Sequence, residues 1–206
     1  IHQKYGGVVP ELASRAHQEN IVPVVEQAIS QANIDINEID AIACTRGPGL
    51  MGSLVVGVSF AKSLALALHV PIIEVNHMKA HILAHFIENN ETRTPGFPFI
   101  CLTVSGGHTQ LVRVDSPYDM EVIGTTIDDA AGEAFDKAAK MLGIDYPGGP
   151  KLDEYAQNGD PLKFKFAKPK VSDLNFSFSG LKTSILYNLR DWQKEAATKC
   201  LNWYTK

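Results

Sequence analysis

Pro71-Ile72-Ile73-Glu74-Val75 runs straight into Asn76-His77-Met78-Lys79-Ala80-His81, and the fold is read from this stretch. The first five residues suit a short buried strand, and the next six open a helix. With an earlier strand and helix between Asp40 and His69, this makes a second strand–helix unit, the repeat of an α/β chain. His77 and His81 stand four apart, so a helix places them on one face, one turn from each other. That spacing lets both imidazoles reach one metal ion. His85 continues the series, so His77/His81 and His81/His85 are alternative pairs. His77 and His85 are separated by roughly 12 Å of helix rise, too far to share an ion. Spacing alone is a weak signal, since two unrelated surface histidines are commoner. A zinc-protease helix needs Glu directly after the first His, as general base. Met78 stands there and Lys79 follows, so a metalloprotease is disfavoured.

The composition, 206 residues with 45% hydrophobic and 20% charged, suffices for one sizeable core or two compact lobes. A net charge of −4 excludes a global positive field, so a nucleic-acid partner would need a local basic patch. Cys44, Cys101 and Cys200 are odd in number and widely spaced, and read as reduced cysteines of a cytoplasmic protein. Polar residues interrupt every apolar run, so neither a membrane span nor a membrane partner is expected, and no signal peptide is read. Ile1 is not a methionine and Lys206 falls inside a helix-like segment, so both ends are expected to be cut.

Along the chain, Pro10 starts a helical pattern reaching Asn33, and Asp40 to Thr45 is a short strand broken by Gly47-Pro48-Gly49. Leu50 to His69 is a helix rich in small residues, whose N-terminus after a glycine turn suits either an anion or simply close packing. The histidine helix spans roughly 77–88. Asn89 to Pro98 is a polar joint, dividing the chain into lobes at 1–96 and 97–206. Phe99 to Val104 and Thr109 to Val114 form a hairpin around Ser105-Gly106-Gly107-His108, with a third strand at Met120 to Gly124. Asp128-Asp129 is expected to cap a helix ending at Met141, before Gly143. Gly148-Gly149-Pro150 precedes a helix from Lys151 to Gln157 with Asp153 and Glu154 in its first turn, and a last helix starts at Leu181.

Several of these segments offer chemistry. The two glycines of Ser105-Gly106-Gly107-His108 let backbone amides approach a nucleotide phosphate, though from this turn alone an ordinary two-glycine hairpin is the better reading. Gly148-Gly149-Pro150 offers free amides at a helix N-terminus, and Asp153 could accept from ribose hydroxyls or merely complement the helix dipole. Glu133–Lys137 and Asp136–Lys140 read as i,i+4 ion pairs. Lys163-Phe164-Lys165-Phe166-Ala167-Lys168-Pro169-Lys170 is basic, aromatic and extended, and reads as plain surface or as an RNA contact.

The motifs together, in order, resemble one family. They are Tyr5 to Arg15, Gly47-Pro48-Gly49-Leu50, His77-Met78-x-x-His81, Val104 to Leu111, Asp128 to Lys137, Tyr146 to Pro150 and Phe176 to Thr183. The chain is similar, from residue 5 to about 185, to the TsaD type of tRNA N6-adenosine threonylcarbamoyltransferase, formerly labelled O-sialoglycoprotein endopeptidase or glycoprotease. The resemblance implies an α/β, actin-like, ribonuclease-H-like two-lobed fold, here truncated at both ends. It implies transfer of threonylcarbamoyl from threonylcarbamoyl-AMP to N6 of adenosine 37 in tRNAs reading ANN codons, with partner subunits of the same synthesis complex.

By the same resemblance, His77 and His81 match the metal ligands, with Fe(2+) the usual ion and Zn(2+) an option, while His85 matches no role. Thr103, Val104, Ser105, Gly106 and Gly107 match the segment that holds the adenylate, and Asp136, Gly149 and Asp153 match further substrate contacts. A Gly-Ile-Glu-Thr-Ser-like strand pair before residue 1, a Gly-Gly-Val-x-x-Asn motif and a carboxylate third metal ligand belong to the family pattern and are missing from this sequence. No general base is read. A catalytically silent binding or scaffold subunit of the same family is the alternative, and a sugar-kinase-like ATPase is third.

Overall fold

The computed structural model describes residues 2–87 and 94–204; side chains of residue 3 and of residues 197–204 are not described. Half of the sequence-drawn joint (89–93) and the side chain of Cys200 therefore lie outside the described residues. The chain clusters into two compact units, Ile1–Pro95 and Gly96–Lys206.

In the first unit, Pro10 starts α1 (Pro10–Ala32), where its missing N–H costs nothing, and Asn33 ends it in the left-handed conformation. β1 (Ile42–Gly47) and β2 (Ile72–Asn76) are parallel neighbours, and α2 (Met51–Leu68) connects them. That is a β–α–β unit, the only short way to join parallel strands. The small residues of α2 serve packing: a Cβ on Gly52 would lie 2.9 Å from Ser14 Oγ of α1. In the glycine turn before α2, a Cβ on Gly49 would lie 3.3 Å from Leu54 Cδ2. α2 corrects one part of the sequence reading, that polar residues keep every apolar run short of a span. Its 18 residues average a hydropathy of 1.7, long and apolar enough to cross a membrane by length and composition. Its lone charge, Lys62, and scattered serines do not lower the average below that level.

β2 passes directly into α3 (His77–Leu83), anchored by Ile82, which is 2% exposed. The helix is shorter than the expected 77–88: from Ala84 to Phe86 the backbone tightens into a 3-10 turn, which takes His85 off α3.

The second unit opens with an antiparallel meander, β3 (Phe99–Val104), β4 (Thr109–Val114) and β5 (Met120–Thr125). Cys101 pairs opposite Val112 and both are buried, while Ile100, Leu102 and Val104 point to the other face. α4 (Ala131–Met141) buries an alanine face of Ala131, Ala134, Ala138 and Ala139. Such small side chains let α5 (Gly148–Ala156) come close, and a Cβ on Gly148 would fall 2.1 Å from that of Ala139. α6 (Ser179–Tyr204) completes the unit, and Gly124 admits the Leu174 carbonyl against β5, where a Cβ would stand 2.1 Å from it.

Candidate functional site

Asn76 sets the histidine pair. As N-cap of α3 its side-chain oxygen accepts from the backbone N–H groups of Met78 and Lys79, at 3.0 and 3.1 Å. This fixes the first turn directly after β2. Ile82 points inward, so His77 and His81 face solvent, with ring centroids 4.5 Å apart in a T-shaped arrangement and Nε2 atoms 3.1 Å apart. An ion about 2.05 Å from both nitrogens would see them at about 98°, a normal angle between neighbouring ligands. The pair therefore fits as two ligands of one ion. With both Nε2 lone pairs given to an ion, the ring protons sit on Nδ1; without one, Nε2–H of one ring donates to the other. Among the described residues no third His, Cys, Asp or Glu completes a metal-binding group with them. Beside the start of α3, Arg46, Gly47, Glu74, Val75 and Asn76 line an open depression of about 340 Å³. Arg46 and Glu74 form an exposed ion pair across the parallel strands at 2.8 Å.

The remaining candidates belong to the second unit. Thr103 is buried and Val104 exposed at the end of β3, and Ser105-Gly106-Gly107-His108 turns the chain into β4. Ser105 N–H donates to the His108 carbonyl at 2.9 Å. Ser105 Oγ accepts from the N–H of His108 at 3.1 Å and of Gly107 at 3.4 Å. A Cβ built on Gly106 or Gly107 meets nothing within 4 Å, so the outer side of the turn is open to a ligand. Its inner side is closed. Gly132 N–H donates to the Ser105 carbonyl at 3.2 Å, and a Cβ on Gly132 would stand 2.8 Å from that oxygen.

Here the expected capping is corrected. Ala130, not an aspartate, occupies the N-cap of α4, and its side chain makes no capping bond. The first amides of α4 are instead met by Thr109 Oγ1, which accepts from Ala131 N–H at 2.9 Å, and by the Ser105 carbonyl. Asp128 serves α6: it accepts from Ser177 Oγ at 2.5 Å and from the N–H groups of Phe178 at 2.7 Å and Ser179 at 3.4 Å. Burial pushes the Asp128 carboxyl up, but the bonds from Phe178, Ser177 and Ser179 outweigh it and hold its pKa at about 2. Asp129 pairs with Lys137 at 2.8 Å and with Lys182, which hold its carboxyl below the usual range. Lys137, also paired with Glu133 at 2.8 Å as expected, is raised by Asp129 first and Glu133 second.

Asp136 links α4 to α5. Its Oδ1 accepts from Gly148 N–H at 2.9 Å and Gly149 N–H at 3.2 Å, in place of the expected i,i+4 pair with Lys140. Two further expectations are overturned. Gly148 and Gly149 are the first residues of α5, not a loop before it, and their amides are engaged by Asp136. Asp153 consequently lies in the second turn of α5, exposed, with no acidic residue in the first. The structure thus joins the Ser105–Gly107 turn, α4, Asp136 and Gly149 into one connected set, with Asp153 one turn further along. Thr109, Gly132 and Asn76 are the supporting residues that sequence reading missed. Gly132, a glycine placed after two alanines and before a helical acidic run, was the available signal.

The family model for tRNA N6-adenosine threonylcarbamoyltransferase (TsaD) matches residues 1–205. The chain is 67% identical over 187 residues to the tRNA N6-adenosine threonylcarbamoyltransferase of Christiangramia forsetii, covering 91% of this chain and 55% of that protein. It is 65% identical over 187 residues to the same-named protein of Riemerella anatipestifer, again 91% of this chain and 55% of that protein. The solved structure of YeaZ from Pseudomonas aeruginosa aligns with a TM-score of 0.38 at 21% identity, over 52% of this chain and 49% of that one. The chain spans about half the length of the curated relatives it matches. The chain belongs to the TsaD family of tRNA N6-adenosine threonylcarbamoyltransferases, with that family's α/β, actin-like, ribonuclease-H-like fold.

Proposed function

We propose that the full-length protein carrying this chain transfers the threonylcarbamoyl group of threonylcarbamoyl-AMP to N6 of an adenosine in tRNA, adenosine 37 of tRNAs reading ANN codons. The observation that carries this reading is the family match over residues 1–205. The convergent Nε2 atoms of His77 and His81 and the open glycine turn at Gly106-Gly107 support it.

The family resemblance suggests the role of each element, and its geometry is compatible with that role. His77 and His81 would hold one divalent ion, Fe(2+) by preference and Zn(2+) as the alternative, with a carboxylate from the rest of the full-length protein as third ligand. When bound, that ion supplies Lewis-acid polarisation of the activated acyl group. The Ser105–Gly107 turn takes the adenylate on its open side, where the absence of side chains lets backbone approach the ligand. Ser105 keeps the turn rigid by engaging the Gly107 and His108 amides, and Thr103 anchors it from the buried face. Asp136 holds Gly149 in register, and exposed Asp153 offers a carboxylate to hydroxyl groups. In the transfer, the adenosine N6 attacks the carbamoyl carbon, the bond from that carbon to the phosphate oxygen breaks, and AMP departs as the amine loses a proton. The reaction takes place in the cytoplasm, with the partner subunits of the synthesis complex.

The test is single-turnover transfer of labelled threonylcarbamoyl from its adenylate to purified tRNA, comparing the full-length protein with its His77→Ala variant. Loss of transfer in the variant supports the assignment. Transfer at the unaltered rate removes the histidine pair from the reaction.

A further inference from the structure

The segment from Pro161 to Ser172 contains Lys163, Lys165, Lys168 and Lys170 and no acidic residue, in a chain whose net charge is −4. It has no regular secondary structure and every residue from 161 to 170 is exposed. It is nonetheless held in place. Ala167 N–H donates to Ser184 Oγ at 3.2 Å, and Asn188 Nδ2 donates to the Lys165 carbonyl at 3.5 Å, so the strap is tied to two polar side chains of α6. Among the described residues none of the four lysines pairs with a carboxylate.

Phe164 and Phe166 alternate with the lysines, each 45% exposed, with ring centroids 6.4 Å apart. Lys163 Nζ lies 5.9 Å from the Phe164 ring centroid. Two half-exposed rings beside unpaired cations on an anchored, irregular backbone match what a single-stranded nucleic acid needs, phosphate neutralisation plus a face on which bases stack.

We propose that the strap from Lys163 to Lys170 is an RNA-binding element, in which the lysines contact backbone phosphates and Phe164 and Phe166 stack on unpaired bases. This deepens the proposed function and rests on it for the identity of the RNA as tRNA. The strap contributes affinity with little sequence preference, because phosphates and base faces are common to every sequence.

The test uses full-length protein and unmodified tRNA, with binding measured over a range of salt. Replacing the four lysines together (K163Q, K165Q, K168Q, K170Q) should raise the tRNA Kd at least about tenfold and flatten the salt slope by about 2.8, at about 0.7 per single-stranded phosphate. The matching set of Lys→Arg changes should restore both. Replacing Phe164→Leu with Phe166→Leu should weaken binding about tenfold without altering the slope. Affinity for threonylcarbamoyl-AMP should be unchanged in all three, and if the glutamine variant loses it through misfolding, the arginine and leucine variants decide. An unaltered tRNA Kd and slope in the glutamine variant would overturn the proposal, as would a loss of binding to anionic phospholipid vesicles with tRNA binding intact. Product formation by a protein whose glutamine variant binds tRNA normally refutes the strap alone. tRNA binding without product refutes the proposed function and leaves the strap standing.

Discussion

Asp128→Ala removes the acceptor that closes the start of α6. The carboxylate takes three donors, Ser177 Oγ–H, Phe178 N–H and Ser179 N–H, from a segment 49 to 51 residues away, so its loss untethers α6 from the stretch that precedes α4. Its pKa of about 2, against an ordinary 3.8, corresponds to about 2.4 kcal/mol at about 1.36 kcal/mol for each pH unit. The residue is exposed, and solvent screening reduces that to about 1 kcal/mol. Helix-capping losses fall in the same range, about 0.5–2 kcal/mol. The folded pKa lies below the unfolded one, so the contribution is fully present above about pH 4 and is lost as pH falls towards about 2. Urea unfolding followed by far-ultraviolet circular dichroism should show the alanine variant less stable by about 1–2 kcal/mol near pH 7, with the gap narrowing below about pH 4. Asp128→Asn should fall between, since its amide oxygen still accepts from Phe178. An alanine variant as stable as the parent near neutral pH would refute the capping role. A gap that stays constant from about pH 7 to about pH 3 would refute the charge-based part.

Gly132→Ala places a Cβ 2.8 Å from the Ser105 carbonyl and 2.9 Å from Gly106 Cα, both backbone atoms. Thermal unfolding should show a loss of about 1–3 kcal/mol, together with weaker adenylate binding in calorimetry. Asp136→Ala leaves the Gly148 and Gly149 amides without their acceptor and should cost about 1–2 kcal/mol, whereas Asp136→Asn should recover most of it. In metal analysis after dialysis, the 206-residue chain should retain well under one equivalent of iron or zinc, because no third ligand completes the pair among the described residues. Tight stoichiometric metal would overturn that argument.

The parts of the fold that local pattern controls were legible. β3 and β4 follow the drawn limits because a strand's alternation and a glycine turn are both local, and α1 runs from Pro10 to an Asn33 stop for the same reason. The capping and loop errors in the second unit share one cause, a partner distant in sequence. Asp128 and Asp129 sit where an N-cap belongs, but their partners Phe178 and Lys182 lie some fifty residues on, while the α4 amides are met by Thr109 from 22 residues back. Gly148-Gly149 reads as a loop until the carboxylate of Asp136, 12 residues earlier, is seen to accept their amides and draw them into α5. Of the site, helical spacing offers His77/His81 and His81/His85 alike, and the family resemblance chooses the first pair. Its exact facing depends on the Asn76 cap and the buried Ile82, which periodicity alone does not rank.

The most direct measurement is nucleoside analysis by mass spectrometry of tRNA incubated with the full-length protein, its partner subunits and threonylcarbamoyl-AMP. The account predicts N6-threonylcarbamoyladenosine at position 37 in tRNAs reading ANN codons, and its disappearance when His77 and His81 are both changed to alanine. Adenosine left unmodified by the parent protein, or product formed equally by the double variant, would contradict it.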